Sequence, residues 1–132
     1  MIVVDASGLV DFLALARPNP SLDERLTTSG DFCTPYLIDV EVARALQRLT
    51  RRNMIGVDRA ADARLDLADL PLRRYPHLPL LERAWELRDN VSAYDAMYVA
   101  LAELLDVPLV TCDASLARAQ GVRAQIEVYA AA

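Results

Sequence analysis

The sequence predicts a single α/β domain built on a parallel β-sheet with helices on both faces. Three observations carry that expectation. Short apolar runs of strand length alternate with longer runs of helical periodicity along all 132 residues. Hydrophobic residues make up 54% of the chain, which supports a packed core. No linker, repeat or low-complexity segment interrupts residues 1–132, so one domain is expected.

The elements follow in order. Ile2-Val3-Val4 reads as a strand ending at Asp5. Ser7 can cap a helix from Leu9 to about Ala16, whose residues Leu9, Val10, Leu13 and Ala16 share a face. Pro18 and Pro20 mark a loop, and a short helix over Leu22 to Thr28 follows. Phe32-Cys33-Thr34 is a second strand before Pro35. A long helix runs from about Leu37 to Arg52, then Gly56 turns the chain into a helix from Asp58 to Leu70. Leu72 to Tyr75 forms a third strand between Pro71 and Pro76, and Leu80 to about Asp89 is helical. Ser92 caps the next helix, which Asp106-Val107-Pro108 breaks. Leu109-Val110 with Thr111-Cys112 is a buried strand ending at Asp113, where another helix starts. Ile126 to Tyr129 is the last strand.

In such a sheet, ligands bind outside the carboxyl ends of the strands. Asp5 follows the first strand and Asp113 the fourth, so both belong at one edge. Leu37, Glu41, Ala45 and Leu49 are four apart and form one helical stripe, which Glu41 interrupts. Asp95, in the first turn of its helix, shares a face with Tyr98, Val99 and Ala102. A carboxylate on a buried stripe is costly unless it is paired or binds a metal. Asp23, Asp58, Asp62, Asp69 and Glu86 read instead as solvated helix surface.

Asp5, Glu41, Asp95 and Asp113 would gather negative charge in one pocket. Like charges that close repel, so a cation should neutralise them. Oxygen-only ligands suit Mg²⁺ or Mn²⁺ rather than Zn²⁺. Such a site takes a phosphate through the metal and activates water for in-line displacement. Ser7 and Thr111 are placed to hydrogen-bond the carboxylates or water at the metal.

Composition narrows the classes further. The net charge of −5 is unlike that of a general nucleic-acid binder, unless the acids serve to hold a metal. The chain contains no Lys; its basic residues are 14 Arg and His77. A single histidine excludes a His-rich metal site and argues against a Ser-His-Asp triad. His77 itself reads as a polar loop residue between Pro76 and Pro79. Arg44, Arg48, Arg51 and Arg52 lie towards the C-terminal end of the long helix. There they complement the helix dipole or contact RNA phosphates. Arg73 and Arg74 form a second, smaller basic pair. Cys33 and Cys112 lack metal spacing and are expected as reduced thiols. The N-terminus has no basic region ahead of its apolar run, and no run approaches the roughly 20 residues of a membrane span. A cytoplasmic protein without a membrane contact is therefore expected.

Taken together, MIVVDASGLVDFL, the Glu41 stretch DVEVARAL, SAYDAMYVALAELLDVPLVTCD and the closing strand resemble a PIN-domain nuclease. More narrowly, they resemble the VapC-type toxins of bacterial toxin–antitoxin pairs. The resemblance covers nearly the whole chain, and its most specific part is Tyr94-Asp95-Ala96 through Asp113. It implies a three-layer fold with strand order 3-2-1-4-5 and a Mg²⁺-dependent endoribonuclease. The family's four acids fall on Asp5, Glu41, Asp95 and Asp113, and its hydroxyl position on Ser7. It also implies a homodimer and a cognate VapB-type antitoxin that covers the acidic pocket. With that strand order, Cys33 and Cys112 lie on strands separated by the first strand, which disfavours a disulfide. Two other readings stay open at this point. A haloacid-dehalogenase-like phosphatase also has an Asp after its first strand, but needs a second Asp where this chain has Ser7. A non-catalytic module would bind RNA or a partner without cleaving, and would have no use for the four acids.

Overall fold

Five parallel strands form one sheet in the order β3-β2-β1-β4-β5: β1 (Ile2–Val4), β2 (Phe32–Pro35), β3 (Leu72–Tyr75), β4 (Leu109–Thr111) and β5 (Ile126–Val128). The structure is a computed structural model and describes residues 1–15, 17 and 19–130. Seven helices connect or follow the strands among the described residues: α1 (Ala6–Ala14), α2 (Pro20–Ser29), α3 (Ile38–Arg51), α4 (Val57–Asp69), α5 (Leu81–Glu86), α6 (Ala93–Leu105) and α7 (Ser115–Arg118).

The central strands are continuous apolar runs because both their faces are covered. Ile2, Val3, Val4, Leu109 and Val110 are fully buried. On one side, α6 packs against β1, β2 and β4 and carries α5. On the other, α1 packs against β4 and carries α3 and α4. Residues 96–102 of α6 are buried all round, which explains why this helix is apolar on every side. Truncating one of them, such as Leu101, would cost about 2–5 kcal/mol. Asp106 ends α6 in the left-handed region, at φ 54°. Its backbone N–H bonds back to the Ala102 and Glu103 carbonyls, so the break expected at Asp106-Val107-Pro108 is where the helix stops.

Several boundaries differ from the expectation. The first helix begins at Ala6 and is capped by Asp5, whose carboxylate accepts from the Gly8 N–H, so Ser7 is not the cap. That helix ends at Ala14; Ala16 and Pro18 lie outside the described residues. Pro20 is the first residue of α2 rather than a loop residue, because its fixed φ and missing N–H suit the first helical position. The stretch expected as a helix over Leu80–Asp89 is a 3₁₀ turn (Leu78–Leu80) followed by the short α5. β4 ends at Thr111, so Cys112 belongs to the loop after it. In α3 the stripe turned into the core is Ile38, Val42 and Leu46; the Leu37–Glu41–Ala45–Leu49 stripe runs along its half-buried flank.

The strand register aligns β1 with β4. Val3 pairs with Leu109 and Val4 with Val110, and the Asp5 N–H donates to the Val110 carbonyl at 3.2 Å. The carboxyl ends of β1 and β4 therefore lie side by side. Gly8 lets α1 cross closely over them, since a Cβ there would meet Val4 Cγ2 at 3.0 Å. Cys33 on β2 and Cys112 beyond β4 are both free thiols, on opposite sides of β1 as the strand order requires.

Candidate active site

Asp5 is the most firmly held of the four acids. It is only 4% exposed, and three donors converge on its carboxylate. Ser7 Oγ donates to Oδ1 at 2.7 Å and the Gly8 N–H to the same oxygen at 3.0 Å; Thr111 Oγ1 donates to Oδ2 at 2.6 Å. Burial pushes its proton affinity up, these three bonds pull it back, and Asp113 pushes it up again; the net direction is upward. The two hydroxyls are tied into the loop beyond β4. Ser7 Oγ accepts from the Cys112 N–H and Thr111 Oγ1 from the Asp113 N–H, each at 3.0 Å. The β1–β4 pairing explains the cluster: Asp5 ends its strand and caps α1, which puts the next hydroxyl, Ser7, within reach of both strand ends.

Asp113 reaches the same edge from β4. Its Oδ1 accepts from the Ser115 N–H and hydroxyl, which fixes the turn into α7. Asp95 enters from α6, in its first turn beside the Ser92 cap. Its carboxyl is pushed up to about 6, first by burial and then by the charges of Asp5, Asp113 and Glu41. Glu41 comes from α3. Burial again raises its proton affinity, the Tyr98 hydroxyl lowers it, Asp5 raises it and Arg44 lowers it. The four carboxylates thus share one electrostatic site.

That site is not a closed metal cage. Among the described residues, no three Asp, Glu, His or Cys side chains close on one point that an ion could occupy. The donors nevertheless fit a hard cation. They are all oxygen, and Glu41 Oε1 is buried without a hydrogen-bond partner. Mg²⁺ retains several waters and needs only one or two direct carboxylates.

Two residues enter the site that sequence reasoning passed over as chemistry. Tyr98 is 1% exposed, and its Oη has no aligned hydrogen bond although it stands beside Glu41. Its i+3 spacing from Asp95 was the available signal. Asp11 is 6% exposed, one helical turn beyond Ser7 on α1, and its Oδ1 is also unpartnered. His77 has a structural part: its Nε2 accepts the Leu37 N–H at 2.9 Å, at the entry to the helix that carries Glu41.

The arginines divide. Arg44, Arg48, Arg51 and Arg52 are exposed and, with Gln47, line a surface hollow of about 300 Å³. Arg74 is committed to Asp39 through paired bonds of 2.8 Å. The acids expected at the surface, Asp23, Asp58, Asp62, Asp69 and Glu86, are all exposed.

The comparisons agree with this architecture. The family model described as PIN domain matches residues 2–122. Ribonuclease VapC1 of Mycobacterium tuberculosis is 42% identical over 127 residues, which cover 96% of each chain. Ribonuclease VapC9 of the same organism is 44% identical over 119 residues, 88% of each chain. A toxin–antitoxin complex from Klebsiella pneumoniae contains a chain of the same fold. Its TM-score is 0.69 at 14% identity, and the match covers 100% of both chains. An acid-bearing sheet edge on a five-stranded parallel sheet, matched along nearly its whole length, places this chain in the PIN-domain family, among its VapC-type members.

Proposed function

We infer that this chain is a divalent-metal-dependent endoribonuclease, the toxin of a type II toxin–antitoxin pair. The observation that carries the reading is the gathering of Asp5, Glu41, Asp95 and Asp113 at one sheet edge, where burial first and the charges of the other three acids second push Asp95 up to about 6. A fold gains nothing from crowding carboxylates unless a cation is to join them. The relatives named ribonuclease support RNA as the substrate, and the toxin–antitoxin neighbour supports a protein inhibitor.

Asp5, Glu41, Asp95 and Asp113 would hold Mg²⁺ or Mn²⁺. Bound there, the ion would lend the positive charge that lets an acidic site accept a phosphodiester and would make water a better nucleophile. The chain's own groups do the positioning. Ser7 and Thr111 orient Asp5 and favour its ionised form against the effect of burial, and Asp113 is held by Ser115. The exposed arginines of α3 supply phosphate contacts beside the acids, so an acidic protein presents a local basic stripe to RNA. Family membership removes the phosphatase reading, and the retained acids favour catalysis over binding alone.

The partners follow in the same terms. An antitoxin that places a cationic side chain among the acids would replace the metal's charge. The exposed apolar side chains Leu78, Leu81 and Trp85 fit a homodimer interface. Among the described residues, no helix is long and apolar enough to cross a membrane; the RNA substrate proposed here places the enzyme's work in the cytoplasm.

The test is cleavage of a mixed RNA pool by purified protein. Activity should require Mg²⁺ or Mn²⁺, stop in excess EDTA, and be lost in Asp5→Asn and Asp95→Asn proteins that remain folded. Undiminished cleavage in EDTA, or full activity in either variant, would sink the reading.

A further inference from the structure

A cavity of about 410 Å³ opens between α1 and α3 and shares Ser7 and Glu41 with the acidic site. That volume lies in the range of small-ligand pockets. Its walls include Leu15, Ala45 and Leu49, and the exposed Arg44 and Arg48 stand at its rim. Asp11 also lines it. This side chain is more than nine-tenths buried; the Asn19 side chain stands beside its carboxylate, but its Oδ1 has no hydrogen-bond partner. A buried acceptor left unpaired is costly, and an apolar cavity has no use for one unless a ligand brings the donor. Oδ1 itself is shielded from the cavity in this structure, and rotation about the soft Cβ–Cγ bond would turn it towards a bound ligand.

We propose that this cavity receives the nucleobase next to the scissile phosphate, and that Asp11 reads an exocyclic amine on that base. The proposal rests on the ribonuclease reading above and names a determinant of its specificity. RNA lying over the acids must put a neighbouring base somewhere. The apolar walls offer that base a dry slot, and Arg44 and Arg48 suit the phosphate that follows it. Cytosine, adenine and guanine each carry an exocyclic amine that a carboxylate accepts from. Uracil alone lacks one, and its single ring N–H is flanked by two carbonyl acceptors that a carboxylate repels. The site therefore disfavours uracil at one position beside the cut.

The experiment uses fluorescein-labelled octamers of cytidylate and of uridylate, titrated with the full chain in excess EDTA. Binding should favour the cytidylate octamer by about fivefold, the scale of one base-edge hydrogen bond. Asp11→Leu should erase that preference, weakening cytidylate binding and relieving the repulsion of uridylate. It removes a buried unpaired acceptor, so a thermal melt should show it folded. Ala45→Phe, which fills the slot without altering Asp11, should erase the preference as well. In Mg²⁺, cut sites mapped on a random RNA pool should be depleted of uracil at one flanking position in wild type but not in Asp11→Leu. Equal affinity for the two octamers in wild type, or a preference that survives in Asp11→Leu, would overturn the proposal. So would octamers that do not discriminate while an amphipathic peptide binds the groove in an Asp11-dependent way; the cavity would then belong to a protein partner. Failure of the nuclease reading looks different: no RNA is cut under any metal, yet the Asp11-dependent preference in EDTA persists.

Discussion

Thr111 Oγ1 donates a 2.6 Å hydrogen bond to Asp5 Oδ2 across the β1–β4 pair, and the same oxygen accepts the Asp113 N–H at 3.0 Å. One hydroxyl thus joins the carboxyl ends of two strands and orients two of the four acids. Thr111→Val keeps the shape of the side chain but leaves a buried carboxylate oxygen without a donor and the Asp113 N–H without an acceptor. Stability should fall by about 1–3 kcal/mol. Nuclease activity should fall roughly 10–100-fold, as is typical when a partner supporting a metal ligand is lost. Because the Thr111 bond lowers the proton affinity of Asp5, the acid limb of the pH–activity profile should also move to higher pH. Thr111→Ser, which restores the hydroxyl, should recover most of the activity. A Thr111→Val protein with wild-type activity and an unshifted profile would show that Asp5 does not depend on this bond.

A second prediction concerns the opposite face. Arg83 on α5 bonds Glu103 on α6 at 2.7 Å, and Glu103 also accepts the Arg123 N–H at 2.9 Å. Burial pushes the Glu103 carboxyl up, but the Arg83 bond, the Arg123 N–H and the two positive charges outweigh it. The net value lies below the usual range. A depressed folded-state value stabilises the fold above the unfolded value near 4.5, and that stability is lost as pH falls through the folded value. Glu103→Gln should therefore cost about 1 kcal/mol at neutral pH. Thermal melts should show the gap from wild type narrowing as pH falls below 4.5 and through the lower folded-state value. A constant gap down to pH 3 would mean that the loss is one of packing rather than charge.

The fold was legible because β1, β2 and β4 are short, mostly apolar runs ending near Asp or Pro, β3 lies between two prolines, and the longer amphipathic helices such as α3 keep their period. The acids were legible for a topological reason: parallel strands put Asp5 and Asp113 at one edge, and Glu41 and Asp95 stand out on otherwise apolar helical stripes. What the sequence hid was pairing. Nothing in the spacing says that Asp5 caps its own helix and leaves Ser7 free to bridge Asp5 and the Cys112 N–H. Asp11 resembles any acid on a short helix, and its burial becomes visible only when α3 is laid beside α1. Likewise His77 reads as a loop residue until the Leu37 N–H, forty positions away, is found at its Nε2. These are contacts between distant segments, set by packing rather than by local propensity.

The proposed dimer makes a third prediction. Leu78 is 80% exposed and Trp85 68%, with the Arg88 guanidinium 4.9 Å from the Trp85 ring. Large side chains left so open on a small chain suit the surface that the proposed second copy would cover. Wild type should sediment as a dimer at micromolar concentration, and Trp85→Glu should shift it towards monomer without lowering the thermal midpoint of the isolated chain. If Trp85→Glu sediments as wild type does, this patch is not the interface.

The last prediction follows from Asp95. Its carboxyl titrates near 6 in the fold, against an unfolded value near 3.8, first because it is buried and then because Asp5, Asp113 and Glu41 face it. A raised folded-state value means that the folded form binds the proton more tightly than the unfolded chain does. The contribution is therefore most favourable below about 4, and it is lost as pH rises through 4 to about 6. At neutral pH without metal, the ionised Asp95 destabilises the fold. Asp95→Asn removes the charge, keeps the size, and should melt higher than wild type in EDTA at pH 7.5. The gain should be about 1 kcal/mol, below the full shift because solvent screens a half-buried group. At pH 4 the two proteins should melt together. Mg²⁺ should stabilise wild type by mass action and the variant less, narrowing or reversing the gap. Melts of both proteins at the two pH values, with and without metal, decide it. If Asp95→Asn is clearly less stable in EDTA at pH 7.5 and Mg²⁺ moves neither protein, the four acids do not share a cation. Asp95 would then be no more than a carboxylate in the first turn of α6.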